Sequence, residues 1–103
     1  MKTSVRFLVF SCLAGTMSFA HADYALFVKS NCLACHTVDK RKYGPTLKEV
    51  ASKYANDKKA ADKLAKKIRA GGTGVWGADV MPPQPQVSKK EALALANYVL
   101  SLK

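Results

Sequence analysis

Acidic residues are scarce in this chain of 103 residues: seven Asp and Glu stand against 17 Lys and Arg, a formal charge of +10. Histidine is nearly missing, with His21 and His36 the two copies. That leaves little for acid–base catalysis and too few nitrogen donors for a multi-histidine metal centre. Trp76 is the one tryptophan. No uninterrupted apolar run reaches the ~20 residues a membrane-spanning helix needs. No segment alternates convincingly as a strand, and no repeat, linker or low-complexity tract divides the chain. These absences describe one small helical domain with sparse, concentrated chemistry.

The N-terminus, MKTSVRFLVFSCLAGTMSFAHAD, has a short basic lead (Lys2, Arg6), then an apolar run from Phe7 to about Phe19. Small residues follow in Ala20-His21-Ala22. This is the pattern of a secretory signal peptide over residues 1–22, with cleavage expected after Ala22. The run is broken by Ser11, Gly15, Thr16 and Ser18, which disfavours a retained membrane anchor. Cys12 lies inside it, with Phe10 where a lipoprotein signal would place a small residue. Removing 22 of 103 residues leaves an exported domain of 81, residues 23–103. Lys2 and Arg6 go with the leader while all seven acids stay, so the basic count falls to 15 and the net charge to about +8. Cys12, His21, Met1 and Met17 go too. The exported inventory is then Cys32, Cys35, His36 and Met81.

Cys32-Leu33-Ala34-Cys35-His36 concentrates that inventory. A structural zinc site needs four Cys or His ligands, and the exported domain has three. A thioredoxin-type pair would adjoin a βαβ pattern, which is missing. A disulfide is the alternative that export permits, but it would close a very short loop and leave His36 unexplained. C-x-x-C-H in an exported protein reads most directly as covalent haem attachment, with both thiols linked to the porphyrin and the histidine on iron. Size agrees: so short a domain buries little surface and needs a staple, which a porphyrin supplies better than a disulfide across two intervening residues.

Four helical segments are expected around it. Tyr24 to Asn31 runs into the motif. After the Gly44-Pro45 turn, Leu47, Val50, Ala51 and Tyr54 recur at helical spacing. Ala60 or Ala61, Leu64, Ala65 and Ile68 share a face of a third helix, with Asn56 or Asp57 expected as its cap. Ser88 and Glu91 form a capping box for the last, whose stripe is Ala92, Leu95, Ala96, Val99 and Leu102. The fold class is all-α. Between the last two helices, Gly71, Gly72, Gly74 and Gly77, then Pro82, Pro83 and Pro85, mark a long irregular loop of the functional sort. A lone methionine is more often core filler. Met81, however, is the only one left after export, is flanked by proline, and lies in a chain whose iron needs a second axial donor; it is assigned as the sixth ligand. Thioether opposite imidazole favours ferrous iron and raises the potential.

CLACH, then YGP, IRAGGTGVWG, MPP and a final ALANYVLSLK helix resemble, across essentially the whole exported domain, the small bacterial class I cytochromes c of the monohaem cytochrome c-551 (cytochrome c8) type. The resemblance implies four to five helices around one covalently attached haem c, thioether links at Cys32 and Cys35, and axial ligation by His36 and Met81. It implies that the Pro45 carbonyl accepts from the His36 ring, and that Trp76 donates to a haem propionate with Lys67 or Arg69 near the same charge. Phe27 and Tyr98 take the places where the terminal helices cross. These six residues, Cys32, Cys35, His36, Pro45, Trp76 and Met81, are expected to wall one slot. Gln84 departs from the family pattern, in which relatives often carry an Asn able to bond the methionine sulfur or steady the loop.

Iron with six donors has no open position for substrate, so the expectation is an electron carrier and not an enzyme. The function read is a soluble, monomeric periplasmic shuttle in respiration or denitrification, with no stable membrane insertion. Export argues against nucleic acid as the partner of the basic face formed by Lys40, Arg41, Lys42, Lys58, Lys59, Lys63, Lys66 and Lys67. Redox proteins with acidic docking surfaces fit better: nitrite reductase, cytochrome c peroxidase or a terminal oxidase. The alternatives are a haem sensor with a displaceable Met81, and an electron-entry subunit of a larger reductase.

Overall fold

The computed structural model describes residues 19–102, with side chains from residue 23, and four scattered positions of the leader. Most of the expected signal peptide thus lies outside the described residues. Four α-helices follow in order, α1 (Phe19–Lys29), α2 (Leu47–Lys53), α3 (Ala60–Ala70) and α4 (Lys89–Ser101), with a 3₁₀ turn at Cys32–Ala34 between the first two. Among the described residues there is no strand, only one isolated antiparallel bridge between Gly72 and Met81.

Local chemistry sets each boundary. α1 stops at Lys29 because Asn31 turns left-handed, at φ 62°, a conformation Asn tolerates better than most residues. The turn carries the CLACH motif onto the 3₁₀ segment instead of letting α1 run into it. α2 opens on a capping box: the Thr46 hydroxyl accepts from Glu49 N at 3.0 Å, and Thr46 N donates to Glu49 Oε2 at 2.7 Å. Ser88 and Glu91 repeat the device at α4, as expected. At α3 the expected cap is displaced. Asp57 Oδ1 accepts from Lys59 N at 2.8 Å and its Oδ2 pairs with Lys63 Nζ at 2.6 Å. This engagement leaves Lys59 at the N-cap without a side-chain bond and starts the helix at Ala60.

α4 touches all three other helices and is the centre of the fold. Its buried Ala92, Leu95, Ala96, Tyr98 and Val99 meet Phe27 from α1 and Leu47 and Val50 from α2, with Val87 just ahead of the helix. Ala92 and Ala96, each fully buried, let the neighbouring helices approach closely. Phe27 and Tyr98 cross α1 over α4 with ring centroids 5.9 Å apart, and Tyr24 lies 6.3 Å from Phe27 and 6.4 Å from Tyr98. Such aromatic contacts contribute about 1 kcal/mol each beyond area burial. The terminal helices are locked together, and one side of the bundle is left to form a cleft.

Candidate haem site

The cleft is apolar, about 1110 Å³ including its solvent-open part. All six residues expected to wall it do so: Cys32, Cys35, His36, Pro45, Trp76 and Met81. Its floor is Leu95, Ala96 and Val99 of α4, with Leu64 and Ile68 of α3 beside them.

On one side the imidazole of His36 is held at two points. Its Nδ1 lies 2.8 Å from the Pro45 carbonyl oxygen. A carbonyl only accepts, so Nδ1 carries the proton and Nε2 keeps a free lone pair. Gly44 packs against the same ring: a Cβ there would stand 2.7 Å from Nδ1 and 3.0 Å from Nε2, and nearer still to Cε1. Gly44 is not among the positive-φ glycines; the imidazole, not the backbone, demands glycine. Pro45 and Thr46 are buried, so the grip is anchored to the start of α2.

On the other side Met81 is fixed by its own backbone. Its N–H donates to Gly72 O, and its C=O accepts from Gly72 N, both at 2.9 Å. Gly71, at φ 70°, lies so close beneath that a Cβ would meet Met81 O at 2.5 Å and Pro83 N at 2.7 Å. α3 therefore ends directly against the Met81-Pro82-Pro83 segment, and Gln84 N reaches back to Ile68 O at 3.2 Å. The Gln84 side chain is spent within the loop: its Nε2 donates to Pro82 O at 3.4 Å, and its Oε1 accepts from Gln86 Nε2 at 2.6 Å.

Cys32 and Cys35 are free, half-buried thiols. Burial, with a smaller contribution from Cys35, pushes the Cys32 thiol above its usual range, so it stays protonated at neutral pH. Among the described residues no cluster of His, Cys, Asp and Glu could hold a metal ion by itself. Two thiols, an imidazole with a free Nε2 and a thioether-bearing loop around one apolar cleft are the donor set that suits a covalently held haem.

The two expected cations separate. Lys67 lines the cleft beside Gly72. Arg69 does not: its Nε donates to Val87 O at 3.1 Å, and it lies in a shallow depression with Ala65, Lys66 and Lys89. Helical geometry is the reason. Leu64, Lys67 and Ile68 share a face at spacings of three and four, whereas residues two apart point to different sides. Arg69 thus stands away from the cleft that Lys67 lines. Sequence reasoning missed Arg41 and Tyr43 as cleft residues; Arg41 was read as part of the basic face and Tyr43 only as the first residue of YGP. Lys53 was missed too; its Nζ stands 5.4 Å from the centroid of the Trp76 ring, within cation–π range.

The cytochrome c family model matches residues 24–103. The chain is 49% identical over 85 residues to cytochrome c-552 of Nitrosomonas europaea, covering 82% of each. It is 50% identical over 91 residues to cytochrome c-551 of Stutzerimonas stutzeri, covering 88% of this chain and 86% of that one. The crystal structure of wild-type Nitrosomonas europaea cytochrome c552 superposes with a TM-score of 0.76, covering 78% of this chain and 99% of that one. The chain belongs to the cytochrome c family, as one of its small monohaem class I members. Its cofactor is one covalently attached haem c, and it is a small electron-carrier haem protein that works as a redox partner of other proteins. Among the described residues no helix is long and apolar enough to cross a membrane.

Proposed function

We propose that this chain is a periplasmic one-electron shuttle whose haem is joined to Cys32 and Cys35 and ligated by His36 and Met81. The observation that carries the reading is the His36 Nδ1 to Pro45 O bond of 2.8 Å, inside a cleft that Met81 and both thiols also line. The haem supplies the change between ferrous and ferric iron. The chain's own residues do the rest. Pro45 holds the imidazole in the tautomer that presents Nε2 and makes it a better donor. The Gly72 pinch holds the Met81 backbone so that its thioether need not search for position when the charge changes, which keeps reorganisation small. Leu64, Ile68, Leu95 and Val99 keep water from the cleft interior, and this favours the less charged ferrous state. Trp76 and Lys67, both on the cleft, are suited to donate to the propionates.

With both axial positions taken from the protein, and no histidine beyond His36 in the exported domain, the chain is not an enzyme. Lys40, Lys58, Lys59 and Lys66 are exposed; together with Arg41 at the cleft they support weak docking to acidic redox proteins such as nitrite reductase, cytochrome c peroxidase or a terminal oxidase. Such pairs bury less than ~1,200 Å² and separate quickly. The leader sequence supports the periplasm as the place, after cleavage behind Ala22. The test is direct. Intact mass of the exported protein should equal residues 23–103 plus one haem. The ferric protein should show the near-red charge-transfer band of methionine ligation, and Met81→Ala should abolish it and lower the midpoint potential. An unchanged spectrum in that variant refutes the reading.

A further inference from the structure

We propose that Tyr43 is a latch, a positioning residue that holds the Met81 loop shut across the cleft. The proposal rests on Met81 as the sixth ligand. Tyr43 is a half-exposed aromatic at the cleft mouth, outside the buried core. Its hydroxyl oxygen accepts a hydrogen bond from Val80 N at 3.1 Å, across 37 positions of sequence. Val80 is the residue before Met81.

That bond differs in kind from the others that hold the loop. The Gly72 pinch, the Gln84 N to Ile68 O bond, the Gly74 N to Gly77 O turn and the Thr73 hydroxyl on Ala78 O and Asp79 O all run within the loop or to the end of α3. They fix the loop to its own side of the cleft and allow it to swing away with α3 as its hinge. The Tyr43 bond runs to the opposite side. Tyr43 is followed by Gly44, which packs on the His36 ring, and Pro45, which accepts from it. One phenol thus connects the residues that grip the imidazole to the residue beside the thioether. The two axial donors are held at a fixed separation by a short path of three consecutive residues and one hydrogen bond.

Opening the loop far enough to release Met81 must break this bond, whereas global unfolding breaks everything else as well. Tyr43→Phe keeps the ring and removes only the acceptor, and the exposed Val80 N–H then bonds to water. The loop-open state should become about fivefold more populated, the factor that one net intramolecular hydrogen bond supports. The bond is missing from the unfolded chain as well, so the unfolding equilibrium should shift by no more than the same factor.

The experiment uses ferric holoprotein and imidazole, which binds iron only when Met81 leaves it. Tyr43→Phe should bind imidazole about fivefold more tightly than the parent and exchange the Val80 amide proton faster. In a Met81→Ala background the same substitution should leave imidazole affinity unaltered, because the latch acts through the thioether. Equal imidazole affinity in parent and Tyr43→Phe overturns the proposal, even if Val80 exchange quickens. So does an effect that persists in the Met81→Ala background. A parent protein without the near-red methionine band overturns the ligand assignment itself and removes the latch with it.

Discussion

Gly44→Ala places one methyl group where the imidazole already is. The new Cβ would stand 2.7 Å from His36 Nδ1 and 3.0 Å from Nε2, against an ordinary carbon contact of about 3.5 Å or more. Clearing Nδ1 takes a retreat of roughly 0.8 Å, and the nearer Cε1 asks for more. Directed along the Nδ1 to Pro45 O bond, that retreat stretches 2.8 Å to roughly 3.6 Å, beyond hydrogen-bonding range; an equivalent tilt misaligns it. Overpacking costs about 1–3 kcal/mol and the lost bond about 1 kcal/mol. The expected loss, roughly 2–4 kcal/mol, is large beside the ~5–15 kcal/mol that holds a typical domain together. Without its carbonyl partner the imidazole is a poorer donor to ferric iron, so the midpoint potential should rise. Urea unfolding of the matured holoprotein and spectroelectrochemistry measure the two effects. Gly77→Ala is the control: its φ of 109° costs about 1–2 kcal/mol of backbone strain, but nothing lies within 4 Å, so the potential should not move. A Gly44→Ala protein with the parent's stability and potential would refute the claim that glycine is there for the imidazole.

Phe27→Ala should remove about 3–5 kcal/mol by opening the α1–α4 crossing that Phe27 shares with Tyr98 and Tyr24, read as a lower thermal midpoint. Thr46→Ala and Ser88→Ala should each cost about 1 kcal/mol in urea unfolding, as each removes one half of a capping box. Glu49 and Glu91 are held below the usual carboxylate range first by the backbone N–H of Thr46 and Ser88, and Asp57 first by the Lys63 ammonium. The unfolded chain therefore takes up protons before the folded one. The stability these groups contribute is present above the ordinary carboxylate range and lost as pH falls through their depressed values. Acid unfolding should accordingly be shallower in a Glu49→Gln, Glu91→Gln double variant.

Helix α4 was open to reading because Ser88, Glu91 and an apolar stripe at helical spacing all agree. The same Thr-x-x-Glu pattern stood at Thr46 and Glu49, but the neighbouring Gly44-Pro45 marked only a turn, and the cap went unread. Asp57 was a plausible cap by residue type, and only its spatial pairing with Lys63 shows why it serves the preceding turn instead. The cleft was legible wherever a rare residue had one chemical use: two thiols, one imidazole, one thioether. Arg69 shows the limit on the other side, since the family resemblance offered Lys67 or Arg69 alike while helical phase decides that Lys67 lines the cleft and Arg69 does not. The Gly72–Met81 pinch leaves no trace in sequence, because a single bridge has no alternating pattern to detect. Gly44 against His36 and Tyr43 against Val80 are likewise long or sideways contacts, set by packing rather than by local propensity.

The cleft floor comes from α4, the last helix in the chain, although the motif it faces comes early. A polypeptide emerging N-terminus first presents CLACH well before Leu95, Ala96 and Val99 exist to cover it. The motif stays uncovered for as long as α2, α3 and the glycine-rich loop take to appear, and the fold closes over it when α1 meets α4. Chain order thus puts the covering of the motif last among the steps of folding.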